Sequence, residues 1–406
     1  MKIAVFHNLP SGGAKRAVYN FVKYFTKSGH VVDVFVPSTA NESFLSLRNV
    51  ADKLAIFPVR RTLTGSICSA IRYMPAIRYI PLLKVSSLVD IERTQKNIAN
   101  KINNSNYDIV FSEQDQYTYS PFFLKFVKKP TVYYCPQPSR WHEAILQNIS
   151  ENSENNRLMK LGKGIGRKYF INSLSKIEKQ NASFAKYILT NSYFSRETIM
   201  RIYGLNSFVC YLGIDNEIFR PLNILRDNYV LSVGSCSPNK GYDFIIRSLS
   251  RIDQKIRPRF VIVSNVINRR WEKYLKRLSL QNKIDLEIKS LIDDEELVLL
   301  YNKALLFLYA PYLEPFGLTP LESMACGTPV IAVKEGGVRE SVVNNETGIL
   351  TERDETMFGD TVAALLLDER KRAYMGQTGI GAVQNFWTLE HAGERLLWHL
   401  ERAINL

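Results

Sequence analysis

Two glutamates eight residues apart, Glu314 and Glu322, flank the segment PFGLTPL. Thr319–Glu322 has the form of a capping box with proline at the first helical position, so it predicts a helix that begins at Thr319. Glu322 then either caps its own helix or binds a ligand, and both interpretations stay open. Glu314 precedes the helix, where no cap is needed, and Gly317 lets backbone N–H groups at the helix start face an anion.

Two turns contain residue types that bind phosphate. Gly12 and Gly13 lie between an apolar run, Ile3–His7, and a helical stretch, so their N–H groups can face an anion such as a diphosphate. A tight turn that only requires positive φ is an equal alternative. Lys240, beside Gly241, follows the first strand of the second half, where its ammonium can reach a phosphate beyond the strand ends. A lysine alone at such a place is more often a solvated surface residue.

The elements that must position these residues alternate between short strands and helices. Continuous apolar strands separated by helices indicate parallel sheets covered on both faces, and therefore an α/β protein of two Rossmann-like domains. We predict domains at 1–210 and 215–385, a hinge at Leu212–Pro221 and a final amphipathic helix at 387–406. The predicted strands are Ile3–His7, Val31–Pro37, Leu54–Val59, Tyr107–Ser112, Thr131–Cys135, Tyr187–Thr190, Val209–Leu212, Tyr229–Gly234, Phe260–Ser264, Ile284–Ile288, Ala304–Ala310, Pro329–Val333 and Gly348–Leu350.

Composition excludes several classes of protein. The chain is 46% hydrophobic and 23% charged, which is typical of a globular protein. With 406 residues it is too long to fold around one compact core. No run of ~18 apolar residues predicts a membrane span, and the first residues lack a signal-peptide core, so we expect a cytoplasmic location. The five cysteines are far apart without a C-x-x-C pair, and the five histidines show no metal-binding spacing. Disulfides and zinc or histidine metal centres are therefore not expected.

The net charge of +14 is concentrated in the first half of the chain. Residues 1–210 hold 29 lysines and arginines against 13 acidic residues, a net of +16, and the remainder has a net of −2. An anionic partner should therefore face the first half. Residues 60–92 alternate cations with apolar side chains, which either bind an anionic membrane surface or pack under the sheet. A nucleic-acid-binding protein is a weaker alternative, because the charge is dispersed and no nucleic-acid-binding motif occurs.

The segment Glu314–Glu322 resembles the E-x7-E motif of the family 4 retaining glycosyltransferases, which have the GT-B fold of two Rossmann-like domains facing each other across a cleft. Other segments resemble those of the family, in the same order, along nearly the whole chain. They are Gly12-Gly13, the strand-and-helix signature Thr190–Gly204, the hinge Leu212–Pro221, the phosphate-binding turn Val233–Gly241 and the segment Gly336–Ser341, which closes the donor pocket.

The resemblance implies an enzyme, a hexosyltransferase that acts in glycan or cell-envelope polysaccharide synthesis. It would transfer a sugar, with retention of configuration, from a UDP- or GDP-linked donor to a sugar or lipid-linked acceptor bound on the first domain. The basic first domain would allow a peripheral location on the inner face of the membrane. The final helix would cross back to the first domain. A different GT-B enzyme, such as a nucleotide-sugar epimerase or a phosphorylase, is the alternative.

The resemblance also implies roles for individual residues. Glu322 would bind the ribose hydroxyls, and Glu314 would face the donor sugar as a catalytic residue together with Lys240. The departing diphosphate gains negative charge, and because the chain has no D-x-D motif we expect Lys240 and backbone N–H groups to meet that charge without a metal or other cofactor. The other expected donor-binding residues are Gly12, Gly13, Ser235, Phe316, Gly317, Leu318 and Thr319.

Two positions depart from the family pattern. Ser235 stands where many members have an arginine, which leaves Lys240 as the sole side-chain cation expected in that turn. Pro136 stands where many members have a histidine near the donor sugar. Candidates for its substitute on the acceptor or donor-sugar side are Gln137, Arg140 and His142. The sequence does not decide among them, and each is more often structural than catalytic.

Overall fold

The structure is a computed structural model that describes residues 1–60, 81–139 and 172–405. The chain divides into two compact units, each built on a parallel sheet. The first unit comprises Met1–Asn191, Arg196–Cys210 and Gly393–Leu406, and the second comprises Ser192–Ser195 and Tyr211–Ala392. Two helices therefore have residues in both units, one beginning at Tyr193 and the other ending at Ile404.

In the described part of the first unit, seven parallel strands are arranged in the order β3-β2-β1-β4-β5-β6-β7. Strand β1, the third in this order, is almost fully buried and pairs with β2 through Val5 and Val34 and with β4 through Val5 and Phe111. The chain moves outward from β1 in one direction to β2 and β3 and in the other to β4. The strands are β1 (Lys2–Asn8), β2 (Val31–Pro37), β3 (Lys53–Phe57), β4 (Ile109–Asp115), β5 (Thr131–Tyr134), β6 (Tyr187–Thr190) and β7 (Phe208–Val209).

Helices cover this sheet with apolar side chains. Phe21 and Phe25 of the first helix are buried, and both rings meet the ring of Phe111 on β4 edge to face. Burial of such an aromatic face stabilises a helix more than its intrinsic propensity does. The helices are α1 (Gly13–Lys27), α2 (Pro81–Asn103), α3 (Phe123–Phe126), α4 (172–183) and α5 (Tyr193–Tyr203).

The second unit contains six parallel strands in the order β10-β9-β8-β11-β12-β13. The order again reverses beside the first strand of the unit, because β9 and β10 lie on one side of β8 and β11 on the other. Ligands of open α/β sheets bind beyond the strand ends at such a reversal. The strands are β8 (Tyr229–Val233), β9 (Arg259–Val263), β10 (Leu286–Lys289), β11 (Leu306–Tyr309), β12 (Val330–Val333) and β13 (Gly348–Thr351).

Four helices of the second unit begin with side-chain caps. Asn268, Asp293, Asp354 and Asp368 each accept a hydrogen bond from a backbone N–H of the first helical turn, which satisfies a group that otherwise lacks a partner. The helices are α6 (Tyr242–Leu249), α7 (Arg269–Gln281), α8 (Asp294–Lys303), α9 (Leu318–Ala325), α10 (Val338–Ser341), α11 (Glu355–Leu367), α12 (Glu369–Ala382) and α13 (Leu389–Ile404).

The predicted α/β class with two Rossmann-like domains is confirmed. Each of the thirteen predicted strands corresponds to an observed strand, with ends displaced by no more than three residues. Within the predicted hinge segment, Ile214 forms a β-bridge to Thr388 in the second unit. Of the segment 60–92, residues 61–80 lie outside the described residues. The remainder begins α2 with Pro81 in first position, where proline is tolerated.

Two helix glycines of the second unit allow the effect of tight helix packing on stability to be distinguished from that of helix propensity. A Cβ on Gly359 of α11 would lie 2.5 Å from the carbonyl oxygen of Ser248 in α6, whereas a Cβ on Gly381 of α12 meets nothing within 4 Å. We expect Gly359→Ala to lower the free energy of unfolding by about 1–3 kcal/mol and Gly381→Ala to raise it by up to ~1 kcal/mol. Urea unfolding of both variants measures this, and equal effects would contradict the close helix contact.

Candidate functional site

The turn after β8 carries Lys240. Gly234 directly follows the strand, a single 3₁₀ turn at Pro238–Lys240 comes next, and α6 begins after Gly241. Gly241 has a φ of 68°, and a Cβ there would lie 2.1 Å from the carbonyl oxygen of Ala310. Only glycine therefore allows the turn after β8 to lie against the end of the neighbouring strand β11.

The loop after β11 carries Glu314. The Lys240 ammonium donates to both carboxylate oxygens of Glu314 at 2.9 Å. The two side chains are partly exposed, with 17% and 27% of their surface accessible. They follow adjacent strands on either side of the reversal in strand order, so the structure brings together the two residues predicted to be catalytic.

The segment Gly336–Ser341 packs against the Glu314 loop. The N–H of Gly337 donates to the carbonyl oxygen of Glu314 at 2.9 Å. A Cβ on Gly336 would lie 2.2 Å from the carbonyl oxygen of Glu314, and a Cβ on Gly337 would lie 2.1 Å from that of Pro315. Two glycines in succession thus allow a second backbone segment to support the loop.

The remaining residues of the motif form the start of α9. Gly317, with a φ of 96°, is the N-cap and provides no side-chain cap, while Leu318 and Thr319 are the first two helical residues. Phe316 is buried against the rings of Trp387 and Tyr211. The backbone N–H groups at the start of α9 therefore have no capping side chain, as an anion site requires.

The predicted capping box at Thr319 is wrong. The helix begins one residue earlier, at Leu318, because Gly317 takes the non-helical N-cap position. Glu322 is 3% exposed and accepts a hydrogen bond of 2.8 Å from the Tyr301 hydroxyl. The carboxylate is thus held by a residue of α8, and its predicted role toward ribose stays a prediction.

Gly12 and Gly13 lie at the start of α1 in the first unit. Gly12 is the N-cap, with a φ of 137° and no side-chain cap, and a Cβ there would meet nothing within 4 Å. The positive φ agrees with the interpretation of a tight turn, and the uncapped N–H groups are compatible with anion binding. Their donor-binding role is not decided by this geometry.

A buried charged cluster supports the Gly12 turn. His7 at the end of β1 and Lys15 in α1 are fully buried, and Lys15 forms an ion pair with Glu42. The N–H of Leu9 donates to Nδ1 of His7, so the neutral ring carries its proton on Nε2, 3.3 Å from Glu42. Burial lowers the pKa of His7 to about 4. Burial would raise the pKa of Glu42, but the hydrogen bonds from His7 and Lys15 outweigh it and lower that pKa to about 2.

The segment after β5 is held by a buried carboxylate. Glu178 of α4 accepts from the N–H of Ser139 at 2.6 Å and from the hydroxyls of Ser139 and Tyr203. Pro136 and Gln137 are half-buried in this segment. Arg140 and His142 lie outside the described residues.

The sequence interpretation missed Arg353. Its guanidinium binds both oxygens of Glu335, donates to the carbonyl oxygens of Ala310 and Pro311, and lies 3.8 Å from the ring centroid of Tyr312. The loops after β11, β12 and β13 are thereby joined beside Glu314. The position of Arg353 two residues after the last strand was the only sequence signal for this role.

Ser235 and Glu340 also have defined contacts. The Ser235 hydroxyl lies 2.8 Å from that of Ser237 within the turn after β8. Glu340 accepts from the N–H groups of Tyr193 and Phe194 and from the Tyr211 hydroxyl. Glu340 therefore caps the start of α5, a contact that no local pattern indicates.

Elsewhere in the described residues, a cavity of about 510 Å³ lies at the amino-terminal edge of the first sheet, lined in part by Lys2, Lys53 and Tyr107. It is at the opposite end of β1 from Gly12. Among residues 1–60, 81–139 and 172–405, no three His, Cys, Asp or Glu side chains are grouped to hold a metal ion. Within the same ranges, no helix is both long and apolar enough to cross a bilayer.

Residues 214–381 match the model of the family Glycosyl transferases group 1. They form a glycosyl transferases group 1 domain. This domain contains Lys240, Glu314 and Glu322, and thus every predicted site residue of the second unit.

Curated relatives are glycosyltransferases as well. The chain is 41% identical over 93 residues to a D-inositol 3-phosphate glycosyltransferase of Corynebacterium efficiens. The matched stretch covers 23% of this chain and 22% of the relative. It is 24% identical over 332 residues to the alpha-1,3/1,6-mannosyltransferase ALG2 of Mus musculus, covering 73% and 74%. The chain spans about a quarter of the length of the first three curated relatives that it matches.

Solved structures with the same fold extend over the whole chain. Anabaena HepE, solved with UDP and glucose, superposes with a TM-score of 0.73 at 16% identity, covering 99% of this chain and all of that one. Sucrose-phosphate synthase of Thermosynechococcus elongatus superposes with a TM-score of 0.74 at 18% identity, covering 100% and 99%. The predicted GT-B fold and the resemblance to glycosyltransferases are confirmed.

The His7 cluster predicts acid sensitivity of the first unit. The pKa of a histidine in the unfolded chain is near 6.5, so below that pH the unfolded chain binds a proton at this position, whereas buried His7 in the folded protein stays neutral. We expect the free energy of unfolding to fall between pH 6.5 and pH 4 by up to roughly 3 kcal/mol from this residue. Urea unfolding over this range should show a shallower pH dependence for His7→Gln, and an identical slope would contradict the prediction.

Proposed function

We propose that the chain is a retaining hexosyltransferase that uses a nucleoside diphosphate-sugar as donor. The observation that carries the proposal is the contact of Lys240 with Glu314 beside the uncapped start of α9, inside a glycosyl transferases group 1 domain. A cation, free N–H groups and a carboxylate together suit a ligand that has both phosphates and sugar hydroxyls.

Lys240 would stabilise the leaving diphosphate. As the bond to the anomeric carbon breaks, negative charge grows on the diphosphate, and fixed donors near it lower the barrier. The Lys240 ammonium and the N–H groups of Leu318 and Thr319 are such donors, since the helix dipole adds to their effect. With these groups the reaction would need no metal or other cofactor, and activity in the presence of a chelator tests that part of the proposal.

The two glutamates would bind different parts of the donor. Glu314 is partly exposed and lies in the loop, so it can face the donor sugar and either bind its hydroxyls or stabilise positive charge on the ring. Glu322 is buried on Tyr301, so it can offer its remaining acceptor capacity to ribose hydroxyls. Configuration at the anomeric carbon would be retained, which the anomeric signals of the product report by NMR.

The acceptor would be a sugar or a lipid-linked sugar used in glycan or cell-envelope polysaccharide synthesis. Among proteins of similar fold, WaaG is described as a glycosyltransferase involved in lipopolysaccharide biosynthesis and WaaB as a lipopolysaccharide outer core galactosyltransferase. ALG2 is named as a mannosyltransferase. These names give different transferred sugars, so both UDP- and GDP-linked sugars stay candidates for this chain.

Substitution of Lys240 tests the proposed function. We expect Lys240→Ala to lower turnover of the nucleotide-sugar by on the order of a hundredfold or more, because a donor aimed at developing charge is worth ~3–4 kcal/mol. Lys276→Ala is the matched control, since Lys276 is exposed on α7 and its one ion pair with the described residues is with Glu272 four residues away. Turnover with UDP- and GDP-sugars is measured with and without acceptor. Near-normal turnover by a folded Lys240→Ala protein, or conversion of the donor without acceptor, would overturn the assignment.

Peripheral membrane binding is a further part of the proposal and rests on the net charge of +16 over residues 1–210. Each basic residue near an anionic surface is worth ~1 kcal/mol, so several together hold a protein reversibly. We expect the full chain to sediment with anionic vesicles and to be released by high salt. Replacement of Arg72, Arg78 and Lys84 by serine should abolish both effects. The matched control replaces Lys273, Lys276 and Arg277 of α7. Equal partition of the wild type between neutral and anionic vesicles would contradict membrane binding.

A further inference from the structure

Two buried tyrosines in the second unit have hydroxyls without a hydrogen-bond partner among the described residues. Tyr242 at the start of α6 is 2% exposed, and Tyr309 at the end of β11 is 5% exposed. Tyr229, a buried tyrosine at the start of β8, differs, since its hydroxyl donates to the carbonyl oxygen of Leu300 at 2.7 Å. A buried hydroxyl without a partner destabilises a protein, so its presence in a candidate site requires an explanation.

The Tyr309 hydroxyl lies directly under the start of α9. A Cβ on Gly317 would be only 2.5 Å from this oxygen. Gly317 is the uncapped N-cap of α9 and follows Glu314 by three residues. The hydroxyl therefore points at the loop that carries the Glu314 carboxylate.

The Tyr242 hydroxyl lies beside the stem of Lys240. A Cβ on Gly234 would be 3.1 Å from this oxygen and 3.4 Å from Cε of Lys240. The ammonium at the end of that stem binds Glu314. Burial raises the pKa values of Tyr242 and Tyr309, and the negative charge of Glu314 contributes to both increases. The Tyr309 hydroxyl thus lies against the loop of Glu314 and the Tyr242 hydroxyl beside its partner Lys240, and the Glu314 charge acts on both.

We propose that Tyr242 and Tyr309 are positioning residues that bind Glu314 when the diphosphate of the donor draws Lys240 away. The inference rests on the proposed function for the identity of the ligand. A carboxylate that loses its ammonium partner in a partly buried site needs other donors. The two hydroxyls donate hydrogen bonds and keep their protons, so no proton is transferred. One oxygen of Glu314 is then held toward the protein, and the other is oriented toward the sugar.

This exchange accounts for both unusual features of the site. The Lys240 ammonium uses two of its three N–H donors on Glu314, so it must give up at least part of that pair to donate more than one hydrogen bond to a phosphate. Movement of its stem uncovers the Tyr242 hydroxyl. The unpaired hydroxyls and the freed carboxylate then satisfy each other, which offsets the lost ion pair.

A thermal unfolding experiment without nucleotide tests the exchange directly. Lys240→Met removes the ammonium and keeps the length of the stem, so it imitates the departure of the lysine. In the wild-type background, Tyr309→Phe and Tyr242→Phe should leave the melting temperature unchanged or raise it. In the Lys240→Met background, each should lower it by about 2–4 °C, because each then removes a hydrogen bond to a charged acceptor. Tyr229→Phe, the control, should lower it equally in both backgrounds.

Titration with UDP and UMP tests the same exchange in the ligand-bound protein. Tyr242→Phe and Tyr309→Phe should each weaken UDP binding by about tenfold and UMP binding by less than twofold, because UMP lacks the second phosphate that attracts Lys240. Tyr229→Phe should leave both affinities unchanged. If GDP is the nucleotide that the wild type binds, GDP and GMP replace this pair.

Two results would overturn the exchange. One is a tyrosine effect on melting temperature that is the same with and without the Lys240 ammonium. The other is an equal loss of UDP affinity when Tyr309→Phe is made in a Glu314→Gln background, because the hydroxyl would then act on something other than the carboxylate. If the wild type binds neither nucleotide, the proposed function fails, and the nucleotide-free experiment still decides whether the hydroxyls bind Glu314.

Discussion

The ion pair between Lys240 and Glu314 is the interaction on which the candidate site depends. It joins the turn after β8 to the loop after β11, two adjacent strands at the point where the strand order reverses. A parallel sheet brings the carboxyl ends of its strands to one edge, and the reversal leaves a crevice there that neither neighbouring helix fills. The pair thus places a cation and a carboxylate at the position where an α/β sheet accepts a ligand.

Close backbone contacts keep that pair in place. Gly241 lets the β8 turn touch the end of β11, and Gly336 and Gly337 let the segment after β12 lie on the carbonyl groups of the Glu314 loop. Arg353 then connects the same loops through Glu335 and two carbonyl oxygens. Because the glycines have no side chains and the arginine forms many hydrogen bonds, loops without regular structure are held in a defined geometry. The hydroxyls of Tyr242 and Tyr309, for which the described residues provide no partner, lie within this region.

In the first unit, buried carboxylates hold the loops beyond the strand ends in place. Asp115 at the end of β4 accepts from Asn8 at the end of β1 and from Gln95 of α2, so it joins the adjacent strand ends. Glu178 holds the segment after β5. Glu42 binds His7 and Lys15 beneath the Gly12 turn. In each unit, hydrogen bonds to a charged group fix the loops beyond the strand ends, where apolar packing alone does not specify a backbone path.

The sequence by itself determined the strands, the two α/β units and the positions of Lys240 and Glu314 in loops that follow strands. These features follow from local apolar runs and from the geometry of parallel sheets. That these two strands are neighbours was decided by the sheet order. Only the tertiary structure decided that Glu322 binds Tyr301, that α9 begins at Leu318, and that Arg353 joins three loops. The physical reason is that such contacts form between residues far apart in the chain, which a local pattern does not report. The capping-box pattern at Thr319 failed because Gly317 is the N-cap of the helix and because the glutamate of the pattern binds a buried tyrosine from another helix.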